Sequence, residues 1–148
     1  MSTLKKCGAA ALLLLCAACA FAETVKKYTF TFPSYERRGT KSERRAVYII
    51  DEKSDVRAFI EELLLGPETY RSRPLFSLGT QVEFCIEKNR TLYVGLSEDL
   101  LSCAGNAIDI AEGFDFFRRN VLRNFAGRID RIEIFVGGKE TFVWNQEL

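Results

Sequence analysis

Carboxylates are the side chains best placed to do acid–base chemistry in this chain, because its 148 residues include 20 Asp and Glu but no histidine. Without an imidazole, Ser-His-Asp and Cys-His nucleophilic catalysis, histidine-ligated zinc and a histidine pH switch are all excluded. A glycosidase-type mechanism needs two carboxylates facing one cleft. Glu61 and Glu62 are adjacent in sequence and on a helix would diverge by about 100°; flanked by core positions, they read as solvated. Glu98 and Asp99, and then Asp109, Glu112 and Asp115, form the other acidic clusters. Asp109 and Glu112 share a helix face and could hold a divalent cation weakly. No loop with alternating oxygen ligands accompanies them, so neither a metal nor a cofactor is assigned.

The basic residues are distributed more tellingly than the acidic ones. Residues 26–45 carry Lys26, Lys27, Arg37, Arg38, Lys41, Arg44 and Arg45 against Glu36 and Glu43, a net of +5, whereas residues 46–148 carry 12 basic and 17 acidic side chains, a net of −5. The stretch 34–45 lacks periodicity and reads as a polar loop. Arg37, Arg38, Lys41, Arg44 and Arg45 would make it a docking site for an anionic envelope surface or an acidic protein partner, and the plainer alternative is a solvated loop.

The five cysteines divide by position. Cys7, Cys16 and Cys19 lie in an uninterrupted apolar run from Cys7 to Ala22, preceded by Lys5 and Lys6 and followed by Glu23. This is the layout of a bacterial export signal, and 16 residues make a helix of about 24 Å, short of a ~30 Å hydrocarbon core. Two processing sites overlap. Ala20-Phe21-Ala22 suits signal peptidase, which would leave a single domain of residues 23–148, and Leu15-Cys16-Ala17-Ala18-Cys19 resembles a loosened lipobox in which Cys19 would be lipidated. The chain would then be extracytoplasmic, touching membrane only through that anchor or an uncleaved signal, and nucleic acid is not an expected partner. Cys85 and Cys103 remain, either as a disulfide in an oxidising compartment or as two separate small apolar residues. Cys85 sits out of phase with Val82, Phe84 and Ile86, which places it off the apolar face.

Hydrophobic spacing supplies the elements. Tyr28-Thr29-Phe30-Thr31-Phe32 alternates as a strand, and Ala46 to Ile50 reads as a second, buried one. Val56, Phe59, Ile60, Leu63 and Leu64 follow helical spacing from Ser54 until Gly66-Pro67 stops it. Val82, Phe84 and Ile86, and then Leu92, Val94 and Leu96, alternate on either side of a short Lys88-Asn89-Arg90 connection as a hairpin. A second long helix from about Asn106 carries Ile110, Phe114, Phe117, Val121 and Leu122. Ile132, Ile134 and Val136 then alternate into Gly137-Gly138 and a terminal hairpin. The order ββαββαββ predicts an α+β fold: a mixed or antiparallel sheet of about five to six strands, with two main helices packed on one face.

The segment Glu61-Glu62-Leu63-Leu64-Leu65-Gly66-Pro67 resembles the "LL-GP" signature of the GerMN domain, a module of a spore-germination and sporulation lipoprotein. Leu78-Gly79-Thr80 is similar to its "P-G-T" step, Tyr93-Val94-Gly95-Leu96-Ser97 to its "V-D-L-S" strand end, and Ile132 to Gly138 to its closing "V-x-I-x-V-x-G". The resemblance covers roughly residues 28–140, with two departures: Leu78 stands for the usual proline and Gly95 for a common acidic or amide residue. Leu63, Leu64, Gly66, Pro67, Gly79, Thr80, Leu96, Ser97 and Gly137 each have a structural reading as core or turn positions, so the motifs speak for fold more than for function. The resemblance implies an extracytoplasmic, often lipid-anchored module without catalytic residues. Such a protein would bind an envelope protein or peptidoglycan as a scaffold. The competing readings are an envelope hydrolase working through carboxylates alone and a solute-binding lipoprotein.

Overall fold

A computed structural model of the chain describes residues 24–36, 39–102 and 108–145. The export segment with Cys19, the residues Arg37 and Arg38, and Cys103 lie outside the described residues. Alternating apolar residues build β1 (Thr24–Pro33), which pairs antiparallel with β2 (Thr40–Ile49) in register from Thr24 opposite Ile49 to Pro33 opposite Thr40. After a 3₁₀ turn, helix α1 (Asp55–Leu64) buries Val56, Phe59, Ile60, Leu63 and Leu64. Gly66 follows it at φ 84°, the left-handed conformation that closes a helix and that glycine adopts without a Cβ penalty.

Strands β3 (Val82–Lys88), β4 (Thr91–Leu96), β5 (Arg131–Val136) and β6 (Lys139–Asn145) form a second sheet in that spatial order. The outer pairs are antiparallel, while β4 and β5 are parallel, which requires a crossover. Helix α2 (Ile110–Phe125) lies within it. Asn89 and Arg90 at φ 51° and 60°, and Gly137 and Gly138 at 55° and 76°, give both hairpins the positive φ pair of a type I′ turn. Among the described residues, six strands and two α-helices occur in the expected order. They divide between a two-stranded and a four-stranded sheet, with one core holding Phe30, Phe59, Phe117, Leu92, Val94, Ile132 and Ile134. Phe30 stacks on Phe59 at 4.8 Å between centroids, and Phe59 meets Phe125 edge-on at 5.2 Å.

Two local readings change. Residues 40–45 are strand, not loop; the alternation is hidden because the inward positions Lys41, Glu43 and Arg45 are charged. In β3 the register shifts between Val82 and Phe84, and this bulge reverses the side-chain phase. Cys85 therefore packs against the core while Ile86 is 54% exposed, the opposite of the expectation from simple alternation. Phe84 turns to the other face and lies on Gly95, where a Cβ would overlap its ring, and its ring sits 5.5 Å from that of Phe135. The family's acidic or amide residue at position 95 is thus replaced by the absence of a side chain, and Phe84 fills the space.

The free edge of β1 is closed by side chains of α2. Asn120 Oδ1 accepts from Thr31 N at 2.8 Å and its Nδ2 donates to Thr31 O at 2.8 Å; Asn124 repeats the pattern on Thr29 at 3.1 and 2.9 Å. One helical turn apart, the two amides take the place of a neighbouring strand. Asn120 is almost wholly buried, so its removal strands two backbone groups. We expect Asn120→Ala to cost about 2–4 kcal/mol in urea unfolding and Asn124→Ala about 1 kcal/mol, from the penalty for unpaired buried polar groups. Gly95→Ala should cost about 1–3 kcal/mol through overpacking, and in a double-mutant cycle most of that loss should vanish in a Phe84→Ala background.

Candidate binding surfaces and charged corners

The four family-like motifs, separated in sequence, meet around one end of α1. Gly66 lies against Pro74 and the Leu78 side chain, leaving 3.3 and 3.5 Å to the position a Cβ would occupy. Thr80 closes a turn by donating its backbone N–H and its hydroxyl to Ser77 O. The next residue, Gln81, donates to Ser97 Oγ at 3.0 Å and accepts from Ser97 N at 3.0 Å. Gly137 N then reaches Leu96 O at 3.2 Å. Leu63 and Leu96 are core residues, each at most 1% exposed.

This convergence shapes an open groove of about 530 Å³ between α1 and the segment before β3, walled by Leu64, Leu65, Leu78, Thr80, Val82 and the Arg57–Glu61 pair. Arg57 Nε holds Glu61 Oε1 at 2.7 Å and Arg57 Nη2 donates to Val82 O at 3.1 Å, which fixes the charged wall in place. Leu65 and Leu78 stand on the rim 69% and 68% exposed. The departure from the family's proline therefore places an exposed leucine at the mouth.

Of the carboxylates weighed from the sequence, Glu61 and Glu62 border one shallow depression beside Ala46 and Tyr48, and each is tied to an arginine. Glu61 is held by Arg57, Glu62 by Arg45, and Asp115 by Arg118 and Arg119. Asp109 caps α2 by accepting from Ala111 N, and Asp99 accepts from Ser97 Oγ. Among the described residues no three Cys, Asp or Glu side chains could share a metal ion.

Asp55, in the first turn of α1, is the most enclosed acid among the described residues, and hydrophobic spacing gives no sign of it. It is 2% exposed and receives both terminal nitrogens of Arg128 at 3.0 Å, Lys26 Nζ at 3.1 Å and the Tyr28 hydroxyl at 3.3 Å. Burial alone would raise its pKa, but the hydrogen bonds from Arg128 and Lys26 outweigh burial and hold the carboxyl below the usual range. Burial, and next the neighbouring carboxylate, push the Tyr28 hydroxyl up to about 12. Arg128 is itself shared with Glu87 at 2.6 Å. A carboxylate so firmly ionised is a structural tie among β1, α1 and the end of α2, and is poorly suited to proton transfer.

Arg45 is the mirror case and corrects the basic-loop reading. It is only 6% exposed, ion-paired with Glu43 and with Glu62 at 3.0 Å, and donates to Gly66 O at 2.6 Å. Its guanidinium lies over Phe30 and Phe32, 5.1 and 5.5 Å from the ring centres. It caps the C-terminus of α1, where the helix dipole favours a cation, and is not available to an external anion. Lys41 is partly exposed, 3.9 Å from Glu36, and Arg44 is exposed. Among the described residues Cys85 has no disulfide partner, and burial raises its thiol pKa to about 11; Cys103, its possible partner, lies outside them.

No family model matches the chain. An uncharacterized lipoprotein of Treponema pallidum (strain Nichols) is 29% identical over 87 residues, which span 59% of this chain and 64% of that protein. A crystal structure of a protein from Clostridium perfringens, provisionally named a lipoprotein, superposes with a TM-score of 0.50 at 15% identity, over 78% of this chain and 76% of the other. The tandem GerMN domains of the sporulation protein GerM from Bacillus subtilis superpose with a TM-score of 0.51 at 14% identity, over 78% of this chain and 40% of that one. The fold is that of the GerMN domain. Each motif residue that resembled the GerMN signature now has a place: Leu63 and Leu96 in the core, Leu64 buried along the groove, Gly66 and Pro67 at the end of α1, Gly79 and Thr80 in the turn beside the groove with Ser97 bonded to Gln81, and Gly137 against Leu96.

In this GerMN fold the Asp55 cluster makes stability depend on acid in a defined direction. A carboxyl whose folded pKa lies below its unfolded value near 3.9 contributes fully above that value and loses its contribution as pH falls through the folded pKa. We expect unfolding free energy to drop below about pH 4. Asp55→Asn should lower stability at pH 7 by about 1–3 kcal/mol, since the charge-assisted bonds from Arg128 and Lys26 are weakened while both cations keep access to solvent, and should flatten the acid limb of the stability–pH curve measured by chemical denaturation.

Proposed function

We propose that this chain is an exported, non-catalytic binding module of the cell envelope, held at a membrane through lipid on Cys19 and engaging an envelope protein as part of a scaffold. The observation that carries the binding role is the groove between α1 and the 78–82 segment, open, apolar and rimmed by two exposed leucines. Its charged wall is self-paired, so a partner contributing an apolar side chain finds no unsatisfied charge to desolvate. The envelope location draws on the export-type N-terminus and on the lipoprotein names of the Treponema and Clostridium proteins. Among the described residues, no helix is long and apolar enough to cross a membrane.

The non-catalytic reading is supported by where the acids go: Glu61, Glu62, Asp55 and Asp115 are each engaged by arginine, including Glu61 and Glu62, which line one shallow depression. Incubation of the purified protein with peptidoglycan should release no soluble fragments above a buffer control. Release that disappears on carboxylate substitution would establish the hydrolase instead. A photo-crosslinking residue at position 78, introduced in cells, should give a discrete protein adduct that Leu65→Lys reduces at least fivefold; an unchanged adduct would remove the groove as the contact.

A further inference from the structure

The outer face of the β1–β2 hairpin carries a feature that neither the core nor the groove uses. Strand alternation places Val25, Lys27, Thr29 and Thr31 of β1 on that face with Ala46, Tyr48, Arg44 and Ser42 of β2, and the register sets Val25 opposite Tyr48, Lys27 opposite Ala46 and Thr29 opposite Arg44. At the end where β1 begins, Val25, Tyr48 and the following Ile50 are 48%, 67% and 78% exposed. No carboxylate stands on this face of either strand. Of the acids on the neighbouring helix, Glu62 pairs with Arg45 and Glu61 with Arg57, while Asp51, next to Ile50, accepts from Lys53 N at 3.2 Å.

We infer that this face, through Val25, Tyr48 and Ile50 with Lys27 and Arg44 behind them, rests on the headgroup layer of a bilayer containing anionic lipid. The inference rests on the anchored reading, and chain length brings the two together. Thr24, where β1 begins, is five residues beyond Cys19, a reach of at most about 18 Å when fully extended. Lipid on Cys19 would therefore keep this end of the hairpin beside the membrane. Three apolar side chains and two cations bind a bilayer weakly in isolation, but a short tether makes the contact intramolecular and raises its effective concentration. An aromatic hydroxyl at the rim of an apolar patch, with cations next to it, is the composition that suits the interfacial layer.

The test uses the full exported chain reconstituted in vesicles of phosphatidylcholine alone or with phosphatidylglycerol, each doped with a diazirine-bearing phospholipid, and maps lipid adducts by mass spectrometry after illumination. In the anionic vesicles, peptides carrying residues 24–27 and 44–53 should be labelled at least fivefold more than the peptide carrying Ile86, an exposed apolar residue on the other sheet. Tyr48→Glu with Ile50→Glu should remove that excess, and Lys27→Glu with Arg44→Glu should reduce it at least threefold in anionic but not in neutral vesicles. Labelling no greater than at Ile86, or crosslinks from this face to a second copy of the chain, would overturn the inference. The mass of the N-terminal peptide reports the anchor separately. A chain beginning at Glu23 refutes the anchor alone, and the face then stands if added anionic vesicles still label the same peptides and falls if they do not.

Discussion

Two asparagine side chains hold the fold together at its weakest joint. A two-stranded sheet has little stability of its own, and β1–β2 shares no backbone ladder with the other four strands. What joins its free edge to the rest is the amide pairing of Asn120 and Asn124 with Thr31 and Thr29. Because each amide both donates and accepts, a single side chain satisfies both groups of its threonine, and the helical repeat of α2 brings the second amide to the next outward-facing residue pair of the strand. The stacking of Phe30 on Phe59 depends on this docking, since the ring can reach α1 only if β1 lies alongside the helices.

The same hairpin is held to α1 at both ends of that helix by charges of opposite sign. Asp55 at the N-terminus takes Lys26 and Arg128, and Arg45 at the far end takes Glu62 and Gly66 O. Each charge sits where the helix dipole favours it, and each has enough partners to offset its desolvation. This arrangement redefines the charge asymmetry of the chain. The +5 segment is not a uniform arm: Lys26 and Arg45 are spent on internal ion pairs, while Lys27 and Arg44 face outward from the same strands.

Hydrophobic spacing made most of the architecture legible, because the apolar stripes of α1 and α2 and the alternation in β1, β4 and β5 face a single core. The exceptions share a physical cause. Arg45 and Asp55 are inward positions occupied by charge, which a polarity pattern assigns to the surface, and the start of β2 was hidden for that reason. Cys85 was placed on the wrong face because a bulge adds a residue without leaving any mark in composition, although Gly95 leaves room on β4 that the Phe84 ring fills. Asn120 and Asn124 were readable only as polar residues on a helix; their spacing matches a strand edge that becomes identifiable once the sheet order is known. The motif residues around the groove were legible one by one as turns and core, but their meeting at one corner is a property of topology.

The direction of β1 sorts these features along an axis. The strand covers about 30 Å from Thr24 to Pro33 at ~3.3 Å per residue, and α1 accompanies it, from Asp55 beside Lys26 to Gly66 beside Arg45, which lies opposite Tyr28. Farther along, Glu68 N reaches Glu43, opposite Phe30, and the segment at Ser72 bridges to Ser34 past the end of the strand. The outward apolar residues Val25, Tyr48 and Ile50 therefore belong to the end nearest Cys19 in the chain, and the groove adjoins them across α1, since Glu61 and Leu65 line both the groove and the depression that Tyr48 borders. The opposite wall of the groove, Leu78, Thr80 and Val82, belongs to the segment before β3 and not to the hairpin, so a contact made by the outer face of β1 and β2 would leave that wall free for a second partner.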